Sequence, residues 1–97
     1  MTGKSESKPK IVNIVATGSF PKSLDIVDLY STLDVGKKEY EPETYPALLV
    51  KVKVGHKDIH VTLYGNGKYI IAGANSEKEL MDAYNEIYKK LQEAGAL

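Results

Sequence analysis

The sequence predicts a two-layer α+β domain: an antiparallel sheet with two helices packed on one of its faces. The prediction rests on strand-like segments that alternate with a period of two, and on two segments with apolar residues at helical spacing. It rests also on the order in which they come: strand, helix, three or four strands, long helix.

At 97 residues the chain has room for one core. A content of 42% hydrophobic and 27% charged residues is ordinary for a soluble globular domain. No apolar run is long enough to span a bilayer, and the N-terminus lacks a signal-peptide pattern, so no membrane partner and a cytoplasmic location are expected. Cysteine is absent, which removes disulfides and thiolate metal sites. With only His56 and His60 as imidazoles, no metal or other cofactor is expected. Thirteen basic and 13 acidic residues give zero net charge, which argues against a diffuse polybasic binder but not against charges segregated onto faces.

Residues Met1 to Pro9, polar and aperiodic, read as a disordered arm, and residues 10–97 as a single domain. Ile11 to Thr17 (IVNIVAT) is β-branched and apolar, a strand signal. Ser23 is the expected N-cap of a helix with Ile26, Val27, Tyr30 and Leu33 on its apolar face, ended by Gly36. Residues 37–46 form a proline-interrupted connection with a short edge strand around Glu39 and Tyr40. Leu48 to Val54, Ile59 to Tyr64 and Lys68 to Gly73 alternate as a meander, with turns at GHKD and at Gly65-Asn66-Gly67. Ser76 and Glu79 form a capping-box pattern. It opens a helix striped by Leu80, Ala83, Tyr84, Ile87 and Leu91 and ended by Gly95.

If both helices cover one sheet face, the period of two fixes what the other face carries. Val12, Ile14, Ala16, Val50, Val52, Val54, Ile59, Val61, Leu63, Tyr69 and Ile71 go to the helix side. Asn13, Val15, Thr17, Leu49, Lys51, Lys53, His60, Thr62, Tyr64, Lys68, Ile70 and Ala72 go to the free side. The free set contains no Asp or Glu. An apolar face rimmed by lysines fits a protein partner, a homodimer that buries the face, or nucleic acid. No nucleophile–base pair, phosphate-binding glycine loop or carboxylate cluster is present, and the chain does not read as an enzyme.

IVNIVAT, EYEPETYPALLVKV, TLYGNGKYIIAGANSEKE and the helix after them resemble one repeat of the archaeal and eukaryotic TATA-binding protein family, from about Lys10 to Leu91. The resemblance implies a curved antiparallel sheet with two helices on one face, half of a saddle. Members with two repeats sit on the minor groove and kink duplex DNA with inserted side chains. With one repeat, a saddle requires two copies, most simply a homodimer paired through the first strands about a two-fold axis. The resemblance then implies Asn13 near that axis, bonding minor-groove acceptors, with Val15 and Ile70 on the groove floor. The family's phenylalanine wedges fall at Tyr45 and Tyr64, and proteins of the transcription machinery are implied as further partners.

The sequence departs from the family at several contacts. Thr44 stands where a phosphate-binding arginine is common, Ala72 where a threonine bonds a base, and Lys51 where an arginine is expected. The chain has no arginine, so every basic contact is a lysine, which favours phosphate attraction over planar base recognition. Looser, less sequence-selective binding with shallower bending is the expectation. The DNA-contact set is thus Asn13, Val15, Tyr45, Leu49, Lys51, Lys53, Thr62, Tyr64, Lys68, Ile70 and Ala72. Plainer readings stand beside it. Asn13 satisfies backbone groups in a dimer interface, the tyrosines meet a protein, Lys68 is a solvated hairpin lysine, and His60 is a spectator. Two other functions remain open: a protein-interaction module that reuses the fold, and a stand-alone duplex- or hybrid-binding domain like those attached to ribonucleases of the H type.

Overall fold

The computed structural model describes residues 14–35, 37–40 and 46–97. The elements are β1 (Ile14–Ser19), α1 (Ile26–Thr32), β2 (Lys37–Tyr40), β3 (Ala47–Val54), β4 (Lys57–Tyr64), β5 (Lys68–Ala74) and α2 (Glu77–Glu93). The expected arm at Met1 to Pro9, the strand opening at Ile11 to Asn13, Gly36, Thr44 and Tyr45 lie outside the described residues.

The strands form one five-stranded antiparallel sheet in the order β1-β5-β4-β3-β2. The edge strand expected around Glu39 and Tyr40 is β2, paired to β3 through Glu39↔Leu49 and Tyr40↔Leu48. Gly55 (φ 64) and His56 turn the chain between β3 and β4, with Val54 opposite Lys57. The turn is therefore tighter than GHKD, and Lys57 and Asp58 belong to β4. The second hairpin turns at Gly65-Asn66-Gly67. There the Gly67 amide donates to the Tyr64 carbonyl at 3.0 Å, and Asn66 Oδ1 accepts from the Lys68 amide at 3.0 Å. Gly67 is required twice over: its φ is 93, and a Cβ there would sit 2.6 Å from the Lys22 carbonyl oxygen.

That close approach explains where α1 begins. The Phe20 amide donates to the Gly67 carbonyl and the Leu24 amide to the Gly65 carbonyl, each at 2.9 Å, strapping the β1–α1 connection across the hairpin. Ser23 sits inside the strap and does not cap the helix. Asp25 does, its Oδ1 accepting from the Asp28 amide at 3.1 Å. The helix closes at Thr32, with Leu33 as an extended C-cap (ψ 122), ahead of the expected Gly36. Of the expected apolar face, Leu33 is buried and Ile26 packs against the core, but Val27 (61% exposed) and Tyr30 (45%) face outward, and Leu29 enters the core in their place.

α2 follows the sequence closely. The Ser76 hydroxyl accepts from the Glu79 amide at 3.1 Å, but Glu79 accepts from the Asn75 amide (2.8 Å), one residue before the usual capping-box partner. Ala83, Ile87 and Leu91 are buried, with Leu80, Tyr84 and Tyr88 packed at the core margin. At the other end the Ala96 amide reaches the Leu91 carbonyl and the Gly95 amide the Gln92 carbonyl, with Gly95 at φ 79. This double closure satisfies the last carbonyls of the helix.

Both helices contribute to one core with Leu48, Val50, Val52, Ile59, Val61, Leu63 and Ile71 of the sheet. Each such side chain contributes about 1.5–3 kcal/mol of burial. The described residues form two layers, and the second sheet face has no helix on it.

Candidate nucleic-acid interface

The bare face is organised by strand register. One row runs Val15, Ala72, His60, Lys51, Lys37 across β1, β5, β4, β3 and β2. The next runs Thr17, Ile70, Thr62, Leu49, Glu39. Lys68 pairs with Ser19, Tyr64 with Ala47, and Lys53 with Asp58 at the margins. Val15, Leu49, Lys51, Lys53, Thr62, Tyr64, Lys68, Ile70 and Ala72 thus share one face, because β1, β3, β4 and β5 each keep strict alternation there. Asn13 and Tyr45 lie outside the described residues.

The face is not free of acids. Because β4 begins two residues earlier than expected, Asp58 joins it, and β2 brings Glu39 beside Leu49. Asp58 is ion-paired to Lys53 (Nζ–Oδ1 3.2 Å) in an exposed contact. β2 also adds Lys37, which lies outside the edge strand expected around Glu39 and Tyr40. The alternation of KKEY carried part of that signal, but the pairing partner of β2 did not show in the sequence.

Chemistry changes from one side of the sheet to the other. β1 and β5 present Val15, Thr17, Ile70 and Ala72, with Val15 60% exposed. β4 is mixed, and β3 and β2 bring the row of His60, Lys51 and Lys37 together. A shallow groove of about 210 Å³ lies there, lined by Lys37, Glu39, Leu49, Lys51, His60 and Thr62. A second, of about 550 Å³, lies between β1 and the β4–β5 hairpin, lined by Thr17, Ser19, Tyr64, Asn66, Lys68 and Ile70. Gly73 (φ 103) bulges β5 between the pairs Ile14↔Ala74 and Val15↔Ala72, close beside the His60 ring.

Two ionisable groups behind the face are shifted, both for structural reasons. The hydrogen bond from the Asn75 amide, then Lys57 at 3.2 Å, holds the Glu79 carboxyl below its ordinary value. Burial, and secondarily Tyr84, pushes the Tyr69 phenol above its own. Among the described residues no group of His, Asp or Glu is arranged to hold a metal ion, and no helix is long and apolar enough to cross a membrane.

An open antiparallel sheet with both helices on one side, and an apolar-to-cationic face on the other, defines a half-saddle α+β domain. The chain belongs to the TATA-binding protein family: the family model described as transcription factor TFIID (or TATA-binding protein, TBP) matches residues 8–94. The TATA-box-binding protein of Thermoplasma acidophilum is 33% identical over 91 residues, covering 92% of this chain and 48% of that protein. TATA-box-binding protein F of Halobacterium salinarum is 33% identical over 88 residues, covering 91% and 46%. The solved structure of Methanococcus jannaschii TBP superposes with a TM-score of 0.74 at 29% identity, covering 88% of this chain and 48% of that one. The chain spans about half the length of the curated relatives it matches.

Proposed function

We propose that this domain binds duplex DNA in a transcription-related role, pairing with a second copy through β1 and laying the joined bare faces on the minor groove. The observation that carries the proposal is the gradient across the face, from Val15 and Ala72 at β1 and β5 to Lys51 and Lys37 at β3 and β2. Its relatives' names, TATA-box-binding proteins, supply the ligand class.

The two sheet edges support β1 as the pairing edge. β1 reads IVATGS, with neither charge nor proline, whereas β2 reads KKEY. Charged side chains discourage strand addition, and their absence permits it. Joined at β1, the copies have an apolar centre, and each β3 lies seven strand spacings from its mate. At roughly 4.8 Å per spacing this is about 34 Å along the sheet, close to one duplex turn of about 34–36 Å. Lysines then flank both ends of an apolar floor. Val15 and Ile70 contact the groove floor, Asn13 lies near the axis, Lys51, Lys53 and Lys68 meet phosphates, and Tyr45 and Tyr64 act at the ends as wedges. Leu49, Thr62 and Ala72 complete the floor. With lysines in place of arginines, phosphate attraction dominates and sequence selectivity is weak.

Anisotropy titrations with TATA-containing, random-duplex and RNA–DNA hybrid oligonucleotides at two salt concentrations test the reading. Binding with a steep salt slope and little sequence preference is expected. No binding at low salt would sink it in favour of a protein-interaction module, the reading that Glu39 and Asp58 on the face support. Preference for the hybrid would favour the third reading. Sedimentation checks pairing: a monomer at high concentration without DNA removes the preformed saddle.

A further inference from the structure

We infer that His60 is a phosphate-contacting residue of this interface whose contribution is switched on by protonation, so that duplex binding takes up a proton. The inference rests on the DNA-binding reading above and adds to it a residue and a pH dependence.

The imidazole is exposed and lies in the cationic row: Lys51 stands directly opposite on β3, and Lys37 opposite Lys51 on β2. At about 4.8 Å between strands, the three side chains span roughly 10 Å. On the β5 side His60 stands opposite Ala72, with Ile70 diagonal to it and Gly73 alongside, all of them uncharged. A Cβ on Gly73 would lie 3.7 Å from His60 Cδ2, ordinary contact distance, so the Cδ2 edge of the ring lies against β5. Along β4 its same-face neighbours are Thr62 and Asp58. Asp58 is engaged by Lys53, and Glu39 belongs to the neighbouring row on β2. Among the described residues no helix covers this face.

The placement sets what a bound duplex does to this imidazole. When a phosphate backbone settles on the row, it screens the lysines and attracts a third cation. Of the residue types on this face, histidine alone ordinarily changes charge between pH 5 and 8. The protonated form is therefore favoured in the complex, and affinity rises as pH falls. One linked proton limits the effect to about ten-fold in affinity per pH unit.

Anisotropy titrations of a random duplex at pH 6, 7 and 8, at constant ionic strength, measure the linkage on the intact chain. Wild type is expected to bind several-fold more tightly at pH 6 than at pH 8. Its salt slope should be larger by up to about 0.9 at pH 6, one extra phosphate contact. His60→Gln should bind with one pH-independent affinity near that of wild type at pH 8. His60→Lys, permanently charged, should bind at pH 8 about as tightly as wild type at pH 6. His56→Gln, altered in the β3–β4 turn, should keep the wild-type dependence. Wild-type binding with no pH dependence, a dependence that survives in His60→Gln, or one lost in His56→Gln overturns the inference and leaves the DNA-binding reading intact. No binding by any variant at any of these pH values overturns both.

Discussion

Tyr69 of β5 occupies the space that a side chain on Gly18 of β1 would need: a Cβ there would lie 2.6 Å from Tyr69 Cζ. The two residues are register partners on the helix side, and the Tyr69 ring continues onto Phe20 at 4.7 Å and Tyr84 at 5.7 Å between centroids. A glycine in a strand leaves a gap, and a cross-strand aromatic fills it.

Gly18→Ala should therefore destabilise the fold by about 1–3 kcal/mol through overpacking, measured by urea unfolding. In a Tyr69→Ala background the same substitution should cost much less, because the clash is gone, and the double-mutant cycle isolates the contact. An equal cost in both backgrounds would show that Gly18 is selected for something else. Because burial raises the Tyr69 phenol, its contribution is fully present below about pH 10 and is lost as pH rises through the folded value. A phenol ionising late in an absorbance titration should be missing in Tyr69→Phe.

Leu29→Ala should cost about 2–5 kcal/mol, whereas Val27→Ala should stay within about 0.5 kcal/mol. Leu29 is 1% exposed and Val27 61%. Chemical denaturation of the two variants compares them directly. This contrast marks where the sequence was hard to read. In α2 the apolar spacing runs through 17 helical residues, and the stripe, the Ser76 cap and the Gly95 stop all agree. α1 has only seven, and its rotation is set by the strap of Phe20 and Leu24 onto the hairpin, a tertiary contact with no local signature. Period-two alternation is legible over residues 50–54, 59–64 and 68–72, since a slip of one residue would turn a whole strand inside out, but not at the Lys57-Asp58 start of β4 or the Gly73 bulge of β5.

Glu79 ties the N-terminus of α2 to the sheet, accepting from the Asn75 amide at 2.8 Å and from Lys57 Nζ at 3.2 Å. Its carboxyl is held below the ordinary value, so the stability it contributes is present above about pH 4.3 and is lost as pH falls through the folded value. Melting curves between pH 3 and 7 should show Glu79→Gln less stable than wild type near neutrality, with the gap closing in acid. A gap that stays constant across that range would mean that the carboxylate charge is not what matters.

On the candidate site, alternation and the hairpin turns show which strand residues share a face and that β3, β4 and β5 are neighbours, but not the register of β4 against β3 or the partner of β2. Lys51 and Lys53 follow from alternation within one strand. The row of His60, Lys51 and Lys37, and the acids Asp58 and Glu39, need the register of β4 and β2 against β3. A two-residue difference in where β4 begins was enough to turn an acid-free face into one with an ion pair on it.

That ion pair has a consequence for binding. Lys53 and Asp58 are 67% and 50% exposed in their side chains, so their contact adds at most about 1 kcal/mol to stability. On the proposed DNA face, however, Asp58 acts twice against a polyanion: it repels phosphate and it occupies Lys53. Asp58→Asn should therefore leave the melting temperature nearly unchanged while tightening duplex binding several-fold. The salt slope should steepen by up to about 0.9 as Lys53 becomes available for a phosphate. In a Lys53→Gln background the gain should shrink to the part due to lost repulsion, with no steepening of the slope. Unchanged binding by Asp58→Asn would place the duplex away from this corner, and weaker binding would assign the ion pair to orienting Lys53 toward the duplex.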